Sequence, residues 1–366
     1  MNDAPGVPQE IPSEPPVLAP QTAPAVSPPT APPPGEPFLF HGEAREYFRI
    51  WIVNTAMTIG TLGVYAAWAK VRRRRYLRGN IELMGHRFEY TARPVRLLIG
   101  NILVLAFFLA YALFGSVYPM IRLAAFGLGL VFLPWVVVRS LAFNAHNTAY
   151  RGIRFRFHPS LSAAAMTYLF QFVPVILTLG IYYPQWSRDA RRFSVERHRY
   201  GSGYFRFEVS SSPFYSAYLT AGGVVLASLV CMGVALFVLR RWFDLQTLTL
   251  AATFGIYLPV VFLARQFVHA RIFNAAWNGT RLDECRFSAA MSTRRWIGLQ
   301  TVNWAAIIGT AGILYPWAAM RAARYTASCL RFHPNEDFYR LCAIGESGGS
   351  AISDTAAEFV GLDFGL

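Results

Sequence analysis

The chain has 366 residues, of which 54% are hydrophobic and only 15% are charged, and its mean hydropathy is +0.32. Soluble domains carry about 25% charged residues, so this composition argues against an ordinary soluble enzyme and predicts a membrane protein with several spans. The formal net charge is +14. Residues 1–37 and 341–366 each hold four acidic residues and no basic residue, so residues 38–340 carry +22, almost entirely as arginine.

Residues 1–37 contain 13 of the 23 prolines. This composition predicts a disordered tail, and the alternative is a polyproline-type segment that recruits a protein partner. We expect the acidic residues 341–366 to form a second disordered tail.

Seven apolar stretches lie between the tails, and we label them A to G in chain order. They cover residues 48–69, 97–115, 121–138, 163–186, 214–239, 246–264 and 296–320. Stretches B, E and F contain no charged residue and are long enough to cross about 30 Å of hydrocarbon. Stretch C has only Arg122, near one end. Stretches A, D and G differ because they are interrupted by amides, glycines and aromatic residues.

An internal repeat connects stretches A, D and G. In each one an amide precedes a threonine by seven residues, and the pairs are Asn54 with Thr61, Gln171 with Thr178, and Asn303 with Thr310. A glycine, a tryptophan and a basic segment follow each threonine. The motif N-x4-G-x-R-F also occurs twice, from Asn80 and from Asn147. We therefore predict repeat units at residues 38–155 and 156–287 and a partial unit at 288–340.

The amide and the threonine of each repeat lie on one helix face, because seven residues make about two helical turns. A polar face within the membrane must contact protein or a cavity. The functional interpretation is a polar track for a substrate. The alternative is helix packing, in which the amides bond to neighbouring helices.

The distribution of basic residues decides between threading schemes. If all seven stretches crossed the membrane, residues 187–213 and 265–295 would lie outside the cytoplasm with six arginines each, against the positive-inside bias. We favour a scheme in which B, C, E and F span, while A, D and G return to the side from which they came. Schemes with five or seven spans remain as alternatives.

Short alternating segments flank stretches A, D and G and are typical of β-strands. They are Phe38–Phe40 and His86–Tyr90, Ile153–Phe157 and Tyr204–Val209, and Cys285–Phe287 and Leu330–His333. Pairing of the strands around a unit would put both ends of that unit on one side of the membrane. The expected fold is therefore an all-α integral membrane protein built from internal repeats, with short β-strands in the basic cytoplasmic connections.

A dense cluster of cations follows stretch A. It consists of Arg72, Arg73, Arg74, Arg75 and Arg78. The functional interpretation is a site for anionic lipid or an anionic solute at the inner leaflet, and the alternative is an anchor that only fixes topology. Because the arginines flank apolar stretches, we expect contact with anionic membrane lipids and not with nucleic acid.

Catalytic and cofactor motifs are absent from the sequence. No H-x3-H or H-E-x-x-H spacing, no G-x4-G-K-[ST] loop and no G-x-S-x-G elbow occurs, so we expect no metal, no cofactor, no catalytic residues and no enzyme activity.

The run T-L-G-V-Y-A-A-W at residues 61–68, the two N-x4-G-x-R-F motifs and Phe143-Asn144 resemble the YjgN-like bacterial inner-membrane proteins over residues 38–334. The second and third copies depart from the pattern, since Pro184-Gln185 precedes Trp186 and Ala311 replaces leucine. The resemblance implies a multi-pass inner-membrane protein, and no activity or site residue comes with it.

Our leading hypothesis is a multi-pass protein of the bacterial inner membrane, with its basic connections in the cytoplasm, that transports or handles an anionic or lipidic substrate. The alternative is a non-enzymatic membrane scaffold that binds anionic lipid through its arginines and a protein partner through the proline-rich tail.

Overall fold

A computed structural model describes residues 35–115, 119–339 and 342. Of the two predicted tails, residues 1–37 and 341–366, only residues 35–37 and Cys342 are among the described residues, and the first strand begins at Glu36. Ten strands are described: β1 Glu36–Phe40, β2 Ile81–Leu83, β3 His86–Tyr90, β4 Thr148–Tyr150, β5 Ile153–Phe157, β6 His198–Tyr200, β7 Gly203–Phe207, β8 Thr280–Leu282, β9 Cys285–Ala289 and β10 Leu330–His333.

Helices occupy most of the remaining described residues. They are α1 Ala44–Gly60, α2 Ala66–Gly79, α3 Pro94–Gly115, α4 Pro119–His146, α5 Leu161–Ala165, α6 Phe172–Leu177, α7 Tyr183–Glu196, α8 Ser212–Leu239, α9 Leu245–Ala252, α10 Leu258–Asn278, α11 Thr293–Gly309 and α12 Tyr315–Ser328. Single π-helical turns at Met166–Phe170 and Thr253–Tyr257 join α5 to α6 and α9 to α10.

The ten strands form one closed antiparallel barrel. Each strand pairs with its neighbours in the chain, and β1 pairs with β10 through Glu36 opposite Phe332, which closes the ring. Two-residue turns join β2 to β3, β4 to β5, β6 to β7 and β8 to β9, whereas helices make the other connections. Because neighbouring strands run in opposite directions, all the tight turns lie on one rim and all the helical connections leave from the other.

The expectation of an all-α protein with isolated short strands is wrong, because the strands close into this barrel. The six predicted strand segments all overlap observed strands, but the short strands β2, β4, β6 and β8 were missed. Three residues are too few to display an alternating pattern. The predicted pairings change as a result, since Phe38 lies opposite Leu83 of β2 and not opposite β3. Only the predicted pair of β9 with β10 forms directly.

Aromatic side chains fill the barrel. Tyr150 donates its hydroxyl to the Leu83 carbonyl at 2.7 Å, and Tyr200 donates to the Tyr150 carbonyl at 3.0 Å. Phe338, from the segment after β10, packs against Tyr200 and also against Phe332 of β10. The interior of the barrel is therefore a packed core. Most arginines of the segments that connect one helical unit to the next lie on the strands, at the alternate positions that face outward.

The five helical connections are of two kinds. Two are long and contain four stretches that are long and apolar enough to cross a membrane, within the described part of the chain: Pro94–Leu113, Met120–His146, Ser212–Leu239 and Gln246–Asn278. These correspond to the predicted spans B, C, E and F. The other three are shorter, and we call them the first short unit (α1 and α2), the second short unit (α5 to α7) and the third short unit (α11 and α12).

Short and long connections alternate around the rim. The helices of successive connections pack on each other, α2 on α3, α4 on α5, α7 on α8 and α10 on α11. The ring closes where α12 packs on α1. At this closure, which we call the seam, the first and third short units are neighbours and no long helix stands between them.

Candidate functional site

The threonine of each short unit builds a sharp turn between two helices. The Thr61 hydroxyl donates to the Met57 carbonyl at 2.7 Å and accepts the Tyr65 N–H at 2.9 Å. Thr178 and Thr310 make the same pair of bonds at 2.7–3.0 Å and 2.7–3.2 Å. These hydroxyls are thus fully used in ending one helix and starting the next.

The backbone conformation of this turn is the same in the three short units. Leu62, Leu179 and Ala311 have φ of 49–50°, and Gly63, Gly180 and Gly312 have φ of 90–92°. A left-handed residue followed by glycine reverses the chain in few residues. Leu62 and Leu179 at the turns are 96% and 95% exposed, so these turns present an apolar side chain at their tips.

The amide of each short unit leaves one acceptor unused. The side-chain oxygens of Asn54, Gln171 and Asn303 are buried and have no hydrogen-bond partner among the described residues. Asn303 does use its amide nitrogen, which donates to the Ala318 carbonyl at 3.3 Å within the third short unit. A buried acceptor without a partner costs about 1–3 kcal/mol, so these oxygens suit a donor from water or a ligand.

An open cavity of about 470 Å³ lies at the seam. This volume is within the range of about 300–1,000 Å³ that is usual for small-molecule sites. Its lining comes from α1, α2 and the start of α12: Tyr47, Trp51, Asn54, Thr55, Thr58, Ile59, Ala69, Lys70, Arg73 and Tyr315. The site combines two cations, an amide and threonine hydroxyls with an aromatic wall.

The charge in the cavity is uncompensated. Lys70 and Arg73 form no ion pair with any acid of the described chain. The Arg73 guanidinium lies over the Tyr315 ring at 5.8 Å, which holds it at the cavity wall. Partial burial, together with the charge of Arg74, lowers the pKa of Lys70. The cavity is therefore built to favour a negatively charged group.

The arginine cluster divides into members with different surroundings. Arg74 donates to the Tyr90 hydroxyl at 3.2 Å and to the Asn144 side-chain oxygen, and Arg78 donates to the Thr148 hydroxyl. Arg75 donates to the Tyr90 carbonyl at 3.3 Å. These three arginines join α2 to β3, to the end of α4 and to the start of β4.

The other two arginines of the cluster are directed away from this contact. Arg72 is exposed, and Arg73 lines the cavity. The cluster thus supplies both packing contacts and one wall of the candidate site.

Sequence reasoning missed Lys70 and Tyr315 as members of one site. Lys70 is the only lysine of the chain, which was a usable signal, whereas Tyr315 reaches the cavity only because β1 pairs with β10. Across residues 35–115, 119–339 and 342, no three His, Cys, Asp or Glu side chains lie close enough to hold a metal ion together.

Comparison with known proteins places the chain in a family. Residues 35–359 match the family model described as bacterial protein of unknown function, DUF898. The chain belongs to this family. The resemblance to YjgN-like proteins is confirmed, because the curated relatives of this chain carry that name.

Two relatives define the similarity. The inner membrane protein YjgN of Escherichia coli strain K12 is 31% identical over 149 residues, which is 40% of this chain and 37% of that protein. The protein of the same name from Salmonella typhimurium strain LT2 is 34% identical over 145 residues, or 39% and 36% of the two chains. The match therefore spans well under half the length of these relatives. No solved structure matches this chain.

Proposed function

We propose that this membrane protein binds and handles an anionic amphiphile, and that the cavity at the seam is the binding site. The observation that carries the proposal is the pair of unpaired cations, Lys70 and Arg73, in a cavity with an aromatic wall. An anionic head group would lie against the cations. Its apolar chain would follow Ile59, which is 71% exposed, toward the tip of the first short unit.

The proposal includes the threading. The long connections cross the bacterial inner membrane four times, the short units enter it and return, and the barrel with its arginines lies in the cytoplasm. The apolar, exposed tips of the short units and the length of the four apolar helices support this scheme. The shared turn and amide support an origin of the three short units as internal repeats.

The test is anionic-lipid binding by purified protein in bilayers of zwitterionic lipid. Replacing Lys70 and Arg73 together with alanine should weaken binding at least about a hundredfold, because two charge-assisted contacts of about 1.5–3 kcal/mol each are lost. The matched control is the double variant Arg191→Ala, Arg192→Ala, which removes two cations from α7 of the second short unit. Equal losses in both variants would assign the binding to general surface charge.

Transport is the stronger form of the proposal. If a substrate moves along all three polar faces, Asn54→Leu, Gln171→Leu and Asn303→Leu should each abolish flux in reconstituted vesicles. If the protein only binds the amphiphile at the seam, Asn54→Leu alone should matter.

The scaffold function remains a second candidate because Arg72 and other cations are exposed to solvent. It requires the proline-rich tail to bind a protein partner. Deletion of residues 1–34 leaves β1 intact, and it should abolish a scaffold function while leaving lipid binding at the seam unchanged.

A further inference from the structure

Asn54 adds a second requirement for a ligand of the seam cavity, besides the negative charge that suits Lys70 and Arg73. Its side chain lines the cavity, is only 7% exposed, and leaves Oδ1 buried without a hydrogen-bond partner among the described residues. The nearby Thr58 hydroxyl is already committed, since it donates to the main-chain carbonyl of Asn54 at 2.6 Å. The amide oxygen is therefore an acceptor that lacks a donor, next to two cations that lack an anion.

A ligand that meets both needs carries a negative charge and a hydrogen-bond donor on the same head group. Two kinds of donor are common on amphiphiles, the ammonium group and the hydroxyl group. An ammonium group would lie close to Lys70 and Arg73 and would be repelled by both. A neutral hydroxyl donates to the amide oxygen without this penalty.

We infer that the seam cavity selects amphiphiles whose head group joins a phosphate to a hydroxyl-bearing group, as in a phosphoglycerol, with the phosphate on Lys70 and Arg73 and a hydroxyl donating to Asn54. This inference rests on the proposed function, because it names the class of anionic amphiphile bound. The third short unit offers the internal comparison, since Asn303 is 1% exposed and does not line the cavity.

The experiment compares two anionic lipids, one with hydroxyls on its head group and one with a short alkyl head group in their place. Phosphatidylglycerol and phosphatidylethanol have the same single-charged phosphodiester, but phosphatidylethanol has no hydroxyl. Each is titrated, with matched acyl chains, into the full-length protein in zwitterionic nanodiscs. The wild type should bind phosphatidylglycerol about tenfold more tightly, which is the effect of one buried hydrogen bond.

Asn54→Leu should erase this preference while affinity for phosphatidylethanol stays within about twofold, because the cations remain. Asn303→Leu is the matched control and should keep the preference. The inference is overturned if the wild type binds the two lipids equally well, or if the Asn54→Leu variant still prefers phosphatidylglycerol. Water would then be the donor to the amide oxygen of Asn54. Failure of the wild type to bind either lipid overturns the proposed function instead.

A soluble arm separates a lipid from a free solute. Glycerol 1-phosphate carries a phosphate and two hydroxyls without the apolar chain, although as a phosphomonoester it has a higher charge than the lipid head group. It should fail to displace phosphatidylglycerol at concentrations where the lipid saturates the site. Equal affinity for glycerol 1-phosphate would overturn the assignment to a lipid.

Discussion

The first and third short units are neighbours with the same backbone turn, yet only the first contributes cations to the cavity at the seam. Counted from the shared threonine, the positions of Lys70 and Arg73 in the first unit correspond to Ala319 and Ala322 in the third. The difference extends to the amides, because Asn303 bonds to its own unit while Asn54 faces the cavity.

This comparison separates the residues that the three short units share from the residues that only the first unit brings to the cavity. Threonine, the left-handed residue and the glycine recur in all three units and make the turn. The cations recur in none of the equivalent positions of the third unit. The turn is therefore common to the three units, whereas the two cations of the cavity lie on α2 of the first unit alone.

The comparison of the first and third short units assumes that both enter the membrane from the same side. Labelling of introduced cysteines tests this assumption with an all-or-none result. Ser202 lies in the tight turn between β6 and β7, on the rim opposite the helices. A cysteine there should be labelled by an impermeant maleimide in inverted vesicles and not in intact cells. The background is Cys231→Ala with Cys329→Ala, because Cys285 and Cys342 are buried.

A second cysteine gives the opposite expected result. Arg241 lies in the short connection between α8 and α9, so Arg241→Cys should be labelled in intact cells. Labelling of position 202 from outside the cell would contradict the proposed threading and the shared entry side.

The shared turn should make the two units equally sensitive to glycine replacement. Gly63→Ala and Gly312→Ala should each lower the free energy of unfolding by about 1–3 kcal/mol, because both glycines have φ of 92°, where a side chain is strained. Gly60→Ala and Gly309→Ala are the controls, since they end helices and a new Cβ would meet no atom within 4 Å. These controls should be neutral or stabilise by up to about 1 kcal/mol.

Unfolding of the purified variants in mixed micelles provides the measurement. A large loss at Gly63 with none at Gly312 would show that the third unit does not depend on the turn it shares.

The smallest expected effect is a pH dependence confined to the first unit. Burial and Arg74 lower the pKa of Lys70 from its usual 10.5, so Lys70 loses its charge before an ordinary lysine as the pH rises. Anionic-lipid affinity should therefore decline as the pH rises, and the decline should begin below pH 10.5. The total decline should not exceed the loss seen in Lys70→Ala. Lys70→Arg should remove the decline, because arginine stays charged. An unchanged decline in Lys70→Arg would assign the titration to another group.

Much of the short unit could be predicted from the sequence, because its signals are local. Thr61, Gly63 and the spacing to Asn54 lie within ten residues of each other, and five-residue strands such as β5 show clear alternation. The arginine cluster could also have been divided in advance. Arg74 and Arg78 are four residues apart and so share a helix face, which points away from Arg72.

The barrel and the cavity could not be predicted in the same way, because both depend on contacts between distant residues. Closure pairs Glu36 with Phe332, and no local pattern records that pairing. The site then follows from closure, since it brings Tyr315 beside Arg73. Strands of three residues, such as β2, carry too little alternation to be recognised.

The number of helical connections has a consequence for where a site can form. Two kinds of member can alternate without a fault around a ring only if their number is even, and this barrel carries five. Two members of one kind must therefore meet, and here they are the first and third short units, so the alternation is broken once, at the seam. Perfect alternation would need a sixth, long connection and with it two more strands between β10 and β1, because β10 ends and β1 begins on the rim opposite the helices.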